Sequence, residues 1–359
     1  MLSGLWKKKA PLIVGIDIGS YSIKAVLLNQ NDNGYVLEAA VVEVMPRGAI
    51  VDREIQDLDA VGKVIAKIRK KISSAVNHTA SAVSGKTVFT KIVYMDVALN
   101  EQELASQIEF EADSLIPYPL DEVSLDFEPL DINESDQSKV NVLLSAARTE
   151  SVEARVAVLE AGGFDAKVID VESYAISRAY DLILSQLPND AADKVVATVD
   201  LGATMTLFSV SEAGNHIYSR DQLFGGEQYT RLIAAHFSKS FEEAELAKLA
   251  GELPENYAIE VLAPFHTVLI QQVRRAIQIF LTSSGKDRID YLVISGGSAL
   301  VEGLELLLTE ELAIHTVIAN PFAGVEISHK INKAQLAKTA PRFMVSAGLA
   351  LRSFVPWHI

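Results

Sequence analysis

Two short stretches carry residue types suited to gripping phosphate. Asp17-Ile18-Gly19-Ser20-Tyr21-Ser22-Ile23-Lys24 follows one apolar run, and Asp200-Leu201-Gly202-Ala203-Thr204-Met205-Thr206 follows another. In each, a glycine lets the backbone turn and lie close to a ligand. The succeeding amides and the hydroxyls of Ser20, Ser22 and Thr204 can then donate to phosphate oxygens. Lys24 could add a cation, although on an alternating strand it could equally point away. Asp17 and Asp200 would repel bare phosphate and are better suited to holding the waters of a Mg2+ ion. A single Asp-x-Gly turn is more often just a hairpin. Two copies, each heading one half of the chain, favour a pair of loops that grip a polyphosphate from both sides. A third element, Ile294-Ser295-Gly296-Gly297-Ser298, puts two glycines between a strand and a helix, where backbone can approach a flat base or ribose.

The hydrophobic pattern supplies the elements that must hold these residues. Residues 12–28 read as strand, turn and strand, and 35–44 add a third strand. Residues 57–76 have the spacing of an amphipathic helix. Strand character returns from Val83 to Tyr94, a helix opens at Asn100, and Pro117 and Pro119 stop it. Polar residues 131–139 separate strands at 123–130 and 140–147, so residues 80–147 read as a β/α insert. Helix, strand and helix follow at 150–162, 166–170 and 172–187, and a boundary is expected at Pro188 to Asp193. The second half opens on the same hairpin, then carries a long helix at 259–284, a strand at 289–295 and a helix at 299–311.

A length of 359 residues is enough for about two domains. Hydrophobic residues make up 49% and charged residues 22%, which excludes global disorder. With 32 Lys+Arg against 47 Asp+Glu, the net charge of −15 argues against nucleic acid as a partner. The absence of cysteine excludes disulfides, thiolate metal sites and cysteine nucleophiles. No stretch reaches the ~18 to 20 apolar residues of a spanning helix. The start, through Lys7, Lys8 and Lys9, lacks a cleavage site and reads as a solvated tail, with a weak membrane-surface contact by Leu2, Leu5 and Trp6 as the lesser alternative. Ser84-Gly85-Lys86-Thr87 is not a phosphate loop of the Walker type, because Ala80 stands where a glycine is required and a strand follows. The seven histidines have no metal-ligand spacing, and the hydrolase elbow Gly-x-Ser-x-Gly is absent. Glu101, Glu103, Glu109, Glu111 and Asp113 read as a solvated face, with attraction of a basic tail as the alternative.

In this order, the two hairpins and the Gly-Gly element resemble the phosphate-1, phosphate-2 and adenosine motifs of the actin-like ATPase superfamily, over nearly the whole chain. Residues 170–179 and Ser346 to Arg352 resemble its two connecting helices. Within the superfamily the chain is similar to the PilM family of type IV pilus assembly. The features that carry this likeness are the lysine-rich start before Gly15-Ile-Asp-Ile-Gly19, the run Phe110-Glu-Ala-Asp-Ser-Leu-Ile-Pro-Tyr-Pro-Leu120, Lys167 to Glu172, and Gln278 to Ser284. The resemblance implies a duplicated actin-like (ribonuclease H-like) α/β fold with a 1C-type insert. Domain 1 would span 10–194 with the insert at about 80–147, domain 2 would span 195–340, and 341–359 would return to domain 1. It also implies ATP and Mg2+ as cofactors, with Asp17 and Asp200 holding Mg2+ through water. Nucleotide contacts would come from Asp17, Gly19, Ser20, Tyr21, Ser22, Lys24, Asp200, Gly202, Ala203, Thr204, Gly225, Gly226, Arg275, Gly296, Gly297 and Ser298. For Gln271, Arg274 and Arg275, surface charge pairing and an adenosine contact stay equally open.

Glu172 aligns with a glutamate that positions the attacking water in related chaperones, and helix capping or a bond to a metal water are its alternative roles. The implied partner is the cytoplasmic N-terminal tail of PilN, in a groove beside the insert, along with other proteins of the pilus assembly platform. The protein would then be cytoplasmic and peripheral to the inner membrane. Turnover of ATP and homo-oligomer formation, as dimer or filament, are left open. A sugar or acetate-type kinase of the same fold would need a carboxylate base in a substrate motif, and none is evident. A filament scaffold like FtsA would carry a membrane helix, whereas here Ser353 to Ile359 follows the last helix directly.

Overall fold

A computed structural model describes residues 11–85, 88–188 and 190–355. The basic tail, Lys86 and Thr87 of the Walker-like run, and the final four residues lie outside the described residues. Strands β1 (Ile13–Ile18), β2 (Ser22–Asn31) and β3 (Gly34–Val44) form an antiparallel meander. A small hairpin, β4 (Ile50–Val51) and β5 (Glu54–Ile55), leads to α1 (Leu58–Arg69), whose amide at Ala60 is capped by the Asp57 carboxylate. Strand β6 (His78–Val83) then pairs parallel to β1.

Next comes a separate unit: β7 (Val88–Asp96), α2 (Glu101–Leu115), β8 (Val123–Ile132) and β9 (Lys139–Arg148). Its sheet order is β7-β9-β8. Asn100 and Glu103 form a reciprocal capping box at the start of α2. Leu104, Ile108 and Ala112 then bury an apolar stripe against Val93, Met95, Val142 and Leu144. The chain rejoins the first sheet through α3 (Thr149–Ala161), β10 (Asp165–Val171) and α4 (Glu172–Ile183).

The second half repeats this plan. Strands β11 (Val195–Leu201), β12 (Thr206–Glu212) and β13 (Asn215–Gln222) make a second meander. Helices α5 (Gly226–His236), α6 (Phe241–Ala250) and α7 (Ala263–Ser284) follow, then β14 (Tyr291–Ser295), α8 (Leu304–Leu312) and β15 (His315–Ile318). The two sheets run β10-β6-β1-β2-β3-β16 and β13-β12-β11-β14-β15. Apart from the edge strand β16 (Glu326–Ile327), the strand order is the same in both: a meander, with two parallel strands added beside its first member.

Helix α9 (Lys333–Thr339) and helix α10 (Met344–Ala350) close the chain, and every residue of α10 is buried. Two glycines allow α10 its position. A Cβ on Gly15 of β1 would lie 2.1 Å from the Ser346 carbonyl, and one on Gly348 would lie 1.7 Å from the Ala175 carbonyl of α4. Backbone therefore packs directly on backbone. Ala179, Tyr180 and Ile183 of α4 share a core with Val196, Val293 and Met344, so α4 and α10 are packed between the two sheets.

Five boundaries differ from the sequence reading. Strand β6 belongs to the main sheet, so the separate three-stranded unit spans 88–148 rather than starting near 80. The chain returns to the first sheet at β16, ahead of the expected residue 341. Helix α1 ends at Arg69 instead of continuing to 76, and the helix expected at 299–311 is broken by Gly303, whose φ is +75°. Helix α7 begins at Ala263 with Pro264 in its first turn, after a π-turn at 258–262.

Candidate functional site

A cleft of about 1170 Å³ opens between the halves, and both Asp-x-Gly turns line it. The turns are built alike. The Gly19 amide donates to the Ser22 carbonyl at 3.2 Å, and the Gly202 amide donates to the Met205 carbonyl at 3.0 Å. They also meet, since the Ser20 and Thr204 hydroxyls lie 3.1 Å apart and share a hydrogen bond across the cleft. Asp17 accepts an ion pair from Lys24 at 3.0 Å, so this lysine points into the cleft. Asp200 accepts from the Ser295 hydroxyl at 2.7 Å. Burial, then the neighbouring Asp17, push the Asp200 carboxyl above its ordinary value, while the Ser295 bond and Lys24 pull the other way.

The glycine-rich element and the start of α5 support the second turn from behind. Gly202 O accepts from the Gly226 amide at 3.0 Å and from the Ser298 hydroxyl at 3.1 Å. A Cβ on Gly225 would lie 2.4 Å from the Ala203 carbonyl. At Gly296, with φ +85°, a Cβ would lie 2.5 Å from the Leu201 carbonyl. Gly225 and Gly296 thus shape the turn without lining the cleft. Gly226, Gly297 and Ser298 do line it, and Gly297 is exposed with open space where a side chain would be. The expected set Tyr21, Ser22, Lys24, Ala203 and Thr204 also lines the cleft. Arg275 does not: it is exposed on α7, whose Val273, Ala276 and Ile277 face the core, and its neighbour Arg274 pairs with Glu311. The helical repeat places both arginines on the exposed side of α7, outside the cleft lining.

Glu172 is the first residue of α4, and its buried carboxylate is engaged by Arg53. Burial raises its pKa to about 7. Arg53 opposes that rise, and the carboxylates of Asp17, Asp200 and Asp221 add to it. Sequence reasoning missed Arg53, which stands with Asp52 in the two-residue turn between β4 and β5. The signal was present as two short extended pairs, Ile50-Val51 and Glu54-Ile55, separated by two residues. It also missed Glu245 and Lys248, which lie one helical turn apart on α6, are paired at 2.6 Å and line the cleft with Arg342. Burial raises the Tyr21 hydroxyl pKa and Glu245 raises it further, which puts this polar group beside the first turn.

The residues fit a nucleotide with Mg2+. The glycine cradle leaves open space at Gly297, and the buried Nε of Arg342 on the cleft wall has no hydrogen-bond partner. Asp17 and Asp200 offer carboxylates on both sides of the paired turns. Since two carboxylates cannot complete an octahedron, water and phosphate oxygens would supply the other ligands.

A second polar junction lies beside the insert. Asp170, at the end of β10, accepts from Arg178 at 3.0 Å and from Arg352 at 2.7 Å. Burial alone would raise its pKa, but the two guanidiniums more than offset this and hold it low. Glu128 on β8 lies within electrostatic reach of both arginines, and Thr90 on β7 hydrogen-bonds Tyr174 of α4.

Two sheets of one topology, each presenting an Asp-x-Gly turn to a common cleft, with connecting helices between them, define an actin-like ATPase fold. Residues 15–354 match the family described as type IV pilus assembly protein PilM, and the chain belongs to that family. Among solved structures it is similar to a chain of a PilM-PilN type IV pilus biogenesis complex, with 25% identity, a TM-score of 0.80, and coverage of 96% of this chain and 99% of that one. It shares the fold of the ethanolamine utilization protein EutJ from Carboxydothermus hydrogenoformans, at 16% identity and TM-score 0.57 over 95% of this chain and 90% of that one. The same holds for a diol dehydratase-reactivating factor in nucleotide-free form, at 10% identity and TM-score 0.54 over 95% and 99%. Among the described residues, no helix is long and apolar enough to cross a membrane.

Proposed function

We propose that the cleft binds ATP with Mg2+, and that nucleotide acts by favouring a closed arrangement of two actin-like domains that meet near residue 194. The Ser20–Thr204 hydrogen bond carries this reading, because it brings two phosphate-type turns from opposite halves within reach of one polyphosphate. Asp17 and Asp200 would hold Mg2+ through water. The bound ion supplies charge neutralisation for the phosphates. Gly297, Glu245 and Lys248 form the wall for a base and ribose, where a carboxylate accepts from hydroxyls and an ammonium donates. Glu172 is the residue suited to orienting a water if the nucleotide turns over. A ligand need only favour the closed state differentially to shift the population.

In the same reading, the short cytoplasmic N-terminal tail of PilN docks beside the insert, near Tyr174, Arg178 and Glu128. The protein is then cytoplasmic and reaches the inner membrane through this partner. Support comes from family membership and from the neighbour solved as a PilM-PilN complex. Titration of a synthetic PilN-type tail, with and without Mg-ATP, tests it. The expected result is saturable binding that changes with nucleotide, and no binding in either condition rejects the adaptor role. Asp17→Ala and Asp200→Ala should each weaken Mg-ATP binding by about tenfold or more, as expected when a charge-assisted contact is lost. Unchanged affinity in both would remove the nucleotide site.

A further inference from the structure

Arg53 carries a guanidinium into the cleft with part of its N–H set unused. Its backbone is held in an uncommon conformation, with φ +50° at Asp52 and +71° at Arg53, neither of them glycine. Such left-handed residues persist only where surrounding contacts over-determine them. The buried Arg155 supplies those contacts. Its Nη2 donates to the Arg53 carbonyl at 3.0 Å, its Nε to the Ala82 carbonyl at 2.7 Å and its Nη1 to the Ser151 carbonyl at 2.9 Å. The turn is therefore rigid, and it aims a guanidinium into the cleft.

That guanidinium is only half used. Nη1 donates to the Ser84 hydroxyl at 2.9 Å and to Glu172. Nη2 lies 3.7 Å from Asp221 Oδ1, beyond hydrogen-bond range, and this oxygen has no partner of its own. Nε is buried without any partner, on a side chain that is 16% exposed. A purely structural ion pair buried to this degree is expected to satisfy its N–H groups, because each orphan donor costs about 1–3 kcal/mol. The free Nε and Nη2 form one edge of the planar fork, the edge that takes two oxygens of a phosphate side by side. Arg53 also lies within electrostatic reach of both Asp17 and Asp200, the aspartates of the two phosphate-type turns.

We propose that Arg53 reads the terminal phosphate of the nucleotide: it exchanges its loose contact with Asp221, and its pair with Glu172, for that phosphate, and so distinguishes a nucleoside triphosphate from a diphosphate. This rests on the nucleotide-binding reading above and adds the group that senses phosphate number. Glu172 and Arg53 belong to the first half and Asp221 to the second, so the exchange also links phosphate number to a contact that spans the cleft.

Calorimetric titration of Mg-ADP and of a Mg-loaded non-hydrolysable triphosphate, into wild type and the R53Q and R53K variants, tests the assignment. R53Q should lose about tenfold or more in triphosphate affinity and keep its diphosphate affinity within about twofold, with the latter showing that the cleft is intact. R53K should fall between R53Q and wild type, because it keeps the charge and loses the fork. Asp221→Asn leaves Arg53 in place and removes a competitor, so triphosphate should bind a few-fold more tightly. Equal losses for both nucleotides in R53Q, no loss for either, or weaker triphosphate binding by Asp221→Asn would each overturn the role of Arg53 while leaving nucleotide binding standing. Failure of wild type to bind either nucleotide would overturn both readings.

Discussion

Gly226 and Ser298 offer a sharp test of how the second phosphate-type turn is built. A Cβ on Gly226 would lie 2.2 Å from the Ser298 hydroxyl and 3.4 Å from the Ser298 Cβ. The hydroxyl can escape by rotating, but it then gives up its 3.1 Å hydrogen bond to the Gly202 carbonyl. That carbonyl keeps its bond from the Gly226 amide, so no acceptor is stranded and the loss is near the ordinary ~1 kcal/mol of a neutral hydrogen bond. The tight methyl contact adds a few tenths, giving about 1.5 kcal/mol for Gly226→Ala. Ser298→Ala removes the same bond and costs about 1 kcal/mol. Because both variants lose one and the same interaction, the double variant should cost about 1.5 rather than the additive ~2.5 kcal/mol, a coupling of about 1 kcal/mol. Urea unfolding of the four proteins measures this directly. A double variant whose cost equals the sum of the singles, within about 0.4 kcal/mol, would show that Gly226 does not exist to make room for that hydroxyl.

Two further glycine variants separate fold from site. Gly348→Ala places a methyl 1.7 Å from the Ala175 carbonyl, which is backbone and cannot rotate away, so a loss of about 3 kcal/mol or more is expected in urea unfolding. Gly297→Ala meets nothing within 4 Å and should leave stability within about 0.5 kcal/mol, yet it should weaken nucleotide binding, because a methyl then stands where a flat ring would lie. His216 predicts a pH dependence. Burial lowers its pKa from 6.5 to about 4, so the native state binds fewer protons than the unfolded chain between these values. Its contribution is complete above 6.5 and is lost as pH falls toward 4. At ~1.4 kcal/mol per pH unit the ceiling is about 3 kcal/mol, and partial exposure reduces it to about 2. The stability difference between wild type and His216→Gln should shrink on going from about pH 7.5 to pH 5, and an unchanged difference would refute this.

Much of the site was legible because its turns carry their own chemistry. Asp17, Gly19 and Ser20, and later Asp200, Gly202 and Thr204, occupy consecutive positions after apolar strands, and a local pattern suffices to find them. Duplication of the sheet could be read for the same reason. Arg53 could not, because its importance depends on Glu172 and Asp221, which arrive from distant elements and from different halves. Glu245 and Lys248 were hidden in a helix whose polar spacing is that of any solvated surface, and only the packing of α6 over the cleft distinguishes them. Arg275 lies outside the cleft lining for a related reason. Helix α7 was anticipated, with its start four residues early, but which of its faces turns outward is set by tertiary packing of Val273, Ala276 and Ile277. The insert boundary slipped because β6 and β7 are separated by only a few residues, and assignment of a strand to one sheet or another is a matter of pairing that hydrophobic runs do not encode.

The charge of the cleft leads to the last prediction. Among the described residues, Asp17 pairs with Lys24, and Glu172 and Asp221 with Arg53, while Asp200 adds a fourth carboxyl group beside them, within a chain whose net charge is −15. A polyphosphate entering without a metal adds negative charge beside this cluster of four carboxyl groups and two cations. The resulting repulsion acts over short range in partly buried surroundings, where it is screened less than at an open surface. Nucleotide binding should therefore depend strongly on Mg2+, with chelation lowering affinity by about tenfold or more. Added salt should raise the residual metal-free affinity, because it screens a net repulsion. A cationic phosphate site behaves in the opposite way, losing affinity as salt rises. Titration of ATP into the protein with Mg2+ or with a chelator, each at low and high salt, gives both numbers, and metal-free binding that falls with salt would show that Lys24 and Arg53 outweigh the four carboxylates.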